Sequence, residues 1–108
     1  MRADQSTQLD ALGDATRRAI LAHLVEKGPL AVVELAREFP ISRPAVSQHL
    51  RVLKYANLVI DRSAGARRVY SVNPEALASL RAYFERFWAE ALVTFKRHAD
   101  STARKERR

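Results

Sequence analysis

The chain has 108 residues, 47% hydrophobic and 29% charged, with a formal net charge of +7, a pI near 10.6 and no cysteine. That length and apolar share describe one folded domain rather than a disordered chain. The missing cysteines exclude disulfides, thiolate metal ligands and thiol redox chemistry, and the basic balance makes a polyanion the first partner to consider.

The positive charge is unevenly placed. Residues 42–72 carry a net +5 and residues 96–108 a net +4, while residues 1–41 and 73–95 are each net −1. No apolar run reaches the roughly 20 residues that a membrane-spanning helix needs, and the N-terminus has no signal-type apolar stretch. A cytoplasmic protein with no membrane partner is expected.

In chain order, Leu9 and Leu12 predict a short first helix ending at Gly13. Asp14 caps a second helix with Ala15, Ala19, Ile20, Leu24 and Val25 as its apolar positions, and Gly28-Pro29 stops it. Arg17 and Arg18 fall in its first turns, where the helix dipole disfavours a cation. Either solvent alone accommodates them, or a phosphate or dimer contact does. Leu30 to Glu38 repeats the helical pattern up to Phe39-Pro40.

Ile41 to Leu53 predicts the helix around which the chain is organised. Ser42 is its N-cap and Pro44 lies in the first turn. Val46, Leu50 and Leu53 share one side, while Pro44, Ser47, Gln48 and Arg51 share an arc on the other. A solvated surface helix usually carries Glu–Lys pairs four apart, yet no acid stands between Ser42 and Lys54. The exposed side chains match base edges instead: Gln48 an adenine, Arg43 or Arg51 a guanine or phosphate, Ser47 either. A short helix, a turn of about four residues and this second helix make a helix-turn-helix.

After Asn57, Val59–Ser63 and Arg67–Val72 predict two strands around Ala64-Gly65-Ala66. The hairpin carries Arg62, Arg67 and Arg68 and reads as a basic wing suited to phosphate or the minor groove, against the alternative of a solvated hairpin. Asn73-Pro74 opens the last helix, with Leu77, Leu80, Phe84, Phe87, Trp88, Ala91, Leu92 and Phe95 at spacings mostly of three and four. This stripe exceeds what the preceding elements can cover, so a homodimer through this helix and the first is expected. The competing readings are a helix folded wholly onto its own core and an aromatic ligand pocket. Residues 98–108 predict a basic, flexible tail, solvated or touching phosphates.

Four stretches together resemble the ArsR/SmtB-type (arsenic-repressor-like) winged-helix regulators: Ala11 to Leu21, Val33 to Ala36, Ile41 to Lys54 and Arg67 to Tyr70. In family order they span roughly residues 8–97. The resemblance implies a mainly α fold with a small β-hairpin, a winged helix-turn-helix of four helices, hairpin and fifth helix. It also implies a dimer built from the first and last helices and binding to a near-palindromic operator. By position, Ser42, Arg43, Ser47, Gln48 and His49 match the family's DNA-contacting segment, and Arg62, Arg67 and Arg68 its wing. Family metal sensors often carry cysteines on the third helix, where this chain has Ala31 to Ala36 with none, or an Asp-x-His pair and a later His on the last helix, where it has only His98. His23, His49 and His98 form no ligand cluster at recognised spacing, so no metal and no cofactor is expected.

The expected organisation is a DNA-binding and dimerisation domain over residues 5–97 and a basic tail over 98–108. The expected function is that of a homodimeric, sequence-specific DNA-binding transcriptional regulator, most simply a repressor. Its partners are double-stranded DNA and a second copy, and its effector is unknown. Ser42, Arg43, Pro44, Ser47, Gln48, His49, Arg51, Arg62, Arg67 and Arg68 are expected to contact DNA. Leu9, Leu12, Leu80, Phe84, Phe87, Trp88, Leu92 and Phe95 are expected to form the dimer interface. The alternatives are a sequence-tolerant architectural DNA-binding protein and a regulator switched by a small molecule or partner at the aromatic last helix. No Ser/His/Asp, Cys/His or phosphate-loop constellation points to an enzyme.

Overall fold

Short polar side chains start four of the helices, the last of them through Asn73 Oδ1, which accepts the Glu75 N–H at 3.2 Å. The computed structural model describes residues 4–106. In it the Asp4 carboxylate accepts the Thr7 N–H to start α1 (Gln5–Ala11), and Asp14 accepts the Arg17 N–H to start α2 (Ala15–Lys27). Ser42 Oγ accepts the Ala45 N–H to start α4 (Arg43–Tyr55). Between them lie β1 (Leu30–Ala31) and α3 (Val32–Glu38), and after them β2 (Val59–Ala64), β3 (Arg67–Val72) and α5 (Pro74–Glu106).

The region expected to be helical from Leu30 begins instead as a strand. Leu30 and Ala31 pair with Tyr70 and Val69, making a three-stranded antiparallel sheet in the order β1-β3-β2. Gly28, at φ 85°, and Pro29 release the chain from α2 in an extended state. The open edge of β3 then supplies hydrogen-bond partners that a helix start at Leu30 would forgo. Helix begins at Val32, where the Glu34 carboxylate reaches back to accept the Ala31 N–H at 3.0 Å.

Arg17 and Arg18 have a structural partner that neither expectation named. Arg17 Nε donates to the Ala11 carbonyl and Arg18 Nη1 to the Leu12 carbonyl, both at 2.7 Å. Two cations at the start of α2 therefore close the C-terminal end of α1, where unpaired carbonyls favour positive charge. Gly13 joins the two helices with its N–H on the Asp10 carbonyl.

The core forms where α2, α3 and α4 meet under the sheet. Ile20, Leu24, Leu35, Val46, Leu50, Leu53, Leu58 and Val59 are fully enclosed. Ile20 and Leu24 fill the expected inner face of α2 with Leu21 beside them, whereas Val25, Ala15 and Ala19 are exposed. The expected inner face of α4 is the one observed.

The exit of α4 is set by one residue. Asn57 takes φ 63°, its N–H bonds the Lys54 carbonyl at 2.9 Å, and the Leu58 N–H bonds the Leu53 carbonyl at 3.0 Å. This is a Schellman turn, sealed by contact of the enclosed Leu53 and Leu58. It aims the chain straight into β2. Asn73 then ties the far end of the hairpin back: its N–H bonds the Leu58 carbonyl and its Nδ2 the Asn57 carbonyl, both at 2.9 Å.

α5 runs for 33 residues, about 50 Å at 1.5 Å per residue, the largest single contribution to the 73 Å long axis of the molecule. It continues past the expected end at Arg97 into the segment expected to be a flexible tail, where Ala99, Ala103 and Arg104 are strong helix formers. Its first turns bury Ala76 and Leu80 against α1 and the core. Among the described residues no helix is long and apolar enough to cross a membrane.

Asp61 joins the hairpin to α4. Its side chain is 8% exposed, with Lys54 Nζ 3.0 Å from one oxygen and Arg68 Nη1 2.9 Å from the other. The Lys54 hydrogen bond, with that of Arg68, holds the carboxyl below its ordinary value against the opposing pull of burial. A lowered carboxyl pKa stabilises the fold above the unfolded value, and the contribution disappears as pH falls through the lowered one. Two outcomes follow. Asp61→Asn should lower the urea midpoint at pH 7, and the gap to the parent chain should close as pH is taken down toward 3; a gap independent of pH would contradict the pairing. Asn57→Ala should cost about 1 kcal/mol in urea unfolding while Asn57→Gly should not, since only the former penalises positive φ; equal losses would contradict it.

Candidate nucleic-acid interface

Because Val46, Leu50 and Leu53 are locked in the core, the opposite side of α4 faces outward. Ser42, Arg43, Pro44, Gln48 and Arg51 are exposed there, with Ser47 half-buried. Ser42 is partly committed, since its hydroxyl oxygen holds the helix start. Gln48 Oε1 accepts from Arg51 Nη1 at 3.1 Å, so the amide NH2 is the freer end. The expected contact with an adenine edge can use the amide nitrogen and the second lone pair of this oxygen together. His49 sits differently from its neighbours. It is half-buried, and its Nδ1 is enclosed without a hydrogen-bond partner. Its ring lies close enough to Asp14 to add to the lowering of that carboxyl, which comes chiefly from the Arg17 N–H.

The hairpin closes with Ala64 opposite Arg67 across Gly65-Ala66, Gly65 at φ 65°. The three wing arginines are not equivalent. Arg68 is paired with Asp61, and Arg67 with Glu34 of α3. The Ala31 N–H, burial notwithstanding, and then Arg67 set the Glu34 carboxyl below its ordinary value. Among the described residues Arg62 and Arg43 make no ion pair. Glu34 and Asp61 were not anticipated from sequence as partners of the wing. The signal available for Asp61 was its isolation, as the single acid in residues 42–72.

The residues expected at a dimer interface divide into two groups. Leu80 is 5% exposed and belongs to the protomer's own core, a correction that follows from α1 lying over that turn; Leu9 and Leu12 are half-buried against the same core. Phe84, Phe87, Trp88, Leu92 and Phe95 are 49–71% exposed, and the same helical stripe that is covered at Ala76, Leu77 and Leu80 runs on uncovered through them. Tyr83 stacks on Phe87 and meets Phe84 edge-on, with centroids 6.5 and 5.6 Å apart. Among the described residues no three His, Asp or Glu side chains gather as a metal site.

Comparison with known proteins agrees with this geometry. Residues 12–62 match a family model described as a helix-turn-helix domain. The chain is 59% identical over 91 residues to the HTH-type transcriptional regulator Rv2034 of Mycobacterium tuberculosis, covering 84% of each. It is 39% identical over 67 residues to the transcriptional repressor SdpR of Bacillus subtilis, covering 62% of this chain and 73% of that one. A homodimeric winged helix-turn-helix DNA-binding domain from Mycobacterium bovis, described as a possible ArsR-family regulator, superposes with a TM-score of 0.64 at 29% identity, over 79% of this chain and 78% of that one. With caps, core, wing and relatives in agreement, the chain belongs to the ArsR family of winged helix-turn-helix transcriptional regulators.

Proposed function

We propose that this chain is a homodimeric repressor that acts in the cytoplasm and reads a near-palindromic operator through α4 and the wing. The observation that carries this is the outward face of α4. Arg43, Pro44, Ser47, Gln48 and Arg51 stand on a helix whose other face is enclosed, with no acid along its length. Side chains on so firmly seated a helix enter a major groove without rearranging it. Ser47 and Gln48 supply base-edge hydrogen bonds, and Arg43, Arg51 and Arg62 supply phosphate or guanine contacts.

The uncovered aromatic half of α5 is the face for the second copy, and the homodimeric state of the M. bovis neighbour supports it. Two-fold symmetry then presents two α4 helices to half-sites about one DNA turn apart. Occupancy of such a site obstructs transcription, and the repressor named among the relatives fits that outcome.

Selection of bound DNA from a random pool should return a two-fold symmetric site; a featureless pool would contradict operator reading. Gln48→Ala should weaken operator binding by about 1–3 kcal/mol, roughly five- to 150-fold, while leaving thermal unfolding and random-DNA binding unchanged. Equal affinities for operator before and after the substitution would refute the role. Trp88→Glu should convert the dimer to monomer in sedimentation at micromolar concentration, and a dimer that survives it would refute the α5 interface.

A further inference from the structure

Between the start of α3, the start of α4 and the hairpin turn lies a cleft of about 180 Å³, lined by Val32, Val33, Arg43, Arg67 and Arg68. Arg43 of α4 and Arg67 of β3 border it from two different elements, with Arg68, whose guanidinium is held by Asp61, beside them. Counting Lys54, which shares Asp61 with Arg68, four cations stand here against two carboxylates, Glu34 and Asp61. The surroundings are therefore net positive, and Arg43 makes no ion pair among the described residues. The cleft is open to solvent on one side and has room for a tetrahedral anion.

The position of the cleft identifies the anion. It lies between the reading helix and the wing, the two elements that enter neighbouring grooves, and the DNA backbone strand separates those grooves. We propose that this cleft seats one phosphodiester of the DNA backbone, and that Glu34 holds Arg67 at its rim until the phosphate replaces the carboxylate. Arg43 and Arg67 grip the phosphate from the two sides, while Arg68 remains with Asp61 and keeps the wing in register with α4. Glu34 is then a positioning residue. It holds the Ala31 N–H and the Arg67 guanidinium on one oxygen, Oε1, so the third helix and the wing tip are aligned before DNA arrives.

This rests on the operator reading above, and a scan of single neutral methylphosphonates along the operator backbone separates the two. With the parent chain, one backbone position per half-site, between the major-groove contacts and the adjacent minor groove, should cost about tenfold in affinity. With Arg67→Met the same replacement should cost little, and the salt slope of log K should fall by about 0.9. Glu34→Gln keeps an oxygen for the Ala31 N–H and removes the competing charge, so it should raise operator affinity several-fold with unaltered circular dichroism and a slightly lower melting temperature. If no backbone position couples to Arg67, or Glu34→Gln leaves affinity unchanged or lowers it, the seat is overturned. Loss of operator preference in Gln48→Ala would still stand for the operator reading in that case. Inorganic phosphate that abolishes the coupling at matched ionic strength would assign the cleft to a free anion and overturn the DNA assignment.

Discussion

The structure depends on the burial of one side of one helix. Val46, Leu50 and Leu53 are enclosed by α2, α3 and the first residues of β2, and with them the azimuth of every other side chain on α4 is decided. Burying a leucine side chain is worth roughly 1.5–3 kcal/mol. Turning the helix to expose a different face would forfeit several such contributions together. The polar face is therefore displayed by the core rather than by its own preferences. The Schellman turn at Asn57 extends this control, because Leu58 is both its last residue and the first hydrophobic anchor of the sheet.

Electrostatics then decide what the displayed surface can do. The basic stretch from 42 to 72 carries more charge in sequence than it presents for binding. Arg67, Arg68 and Lys54 are shared out between Glu34 and Asp61, while Arg43, Arg51 and Arg62 make no ion pair among the described residues. The exposed Glu34–Arg67 pair contributes little to stability, typically below about 1 kcal/mol, so its main effect is on geometry, whereas the nearly enclosed Asp61 also supports the fold. Asp61 ties the hairpin to α4 and Glu34 ties its tip to α3, and the exposed Glu34 contact is easily exchanged for a phosphate.

Much of this was legible in the sequence, and the reasons differ by residue. Ser42, Asp14 and the apolar triplet on α4 act through neighbours three to seven positions away, and local pattern exposes such contacts. Leu30 and Ala31 form a strand only because Val69 and Tyr70 present an edge to them, which no local window contains. The Glu34–Arg67 pair spans 33 positions and was missed for the same reason. The conflict of Arg17 and Arg18 with the dipole of their own helix was visible, but its resolution lay in the carbonyls of the preceding one. On α5 the spacing gave a continuous apolar stripe. Only the placement of α1 divides it into a covered part ending at Leu80 and an uncovered part from Phe84.

The two residues of β1 have a consequence for how copies of this protein avoid one another. By pairing with Val69 and Tyr70 they cover the middle of the second side of β3, so the main free rim of the sheet is the outer side of β2. A bare strand rim is a template on which another chain can add and aggregation can begin. Here the rim is short and holds Asp61, Arg62 and Ser63, two charges and a polar residue within six positions. Strand addition is discouraged there by both sequence and length. Self-recognition through a fourth strand is thereby disfavoured, and the largest run of exposed apolar side chains lies on a helix instead.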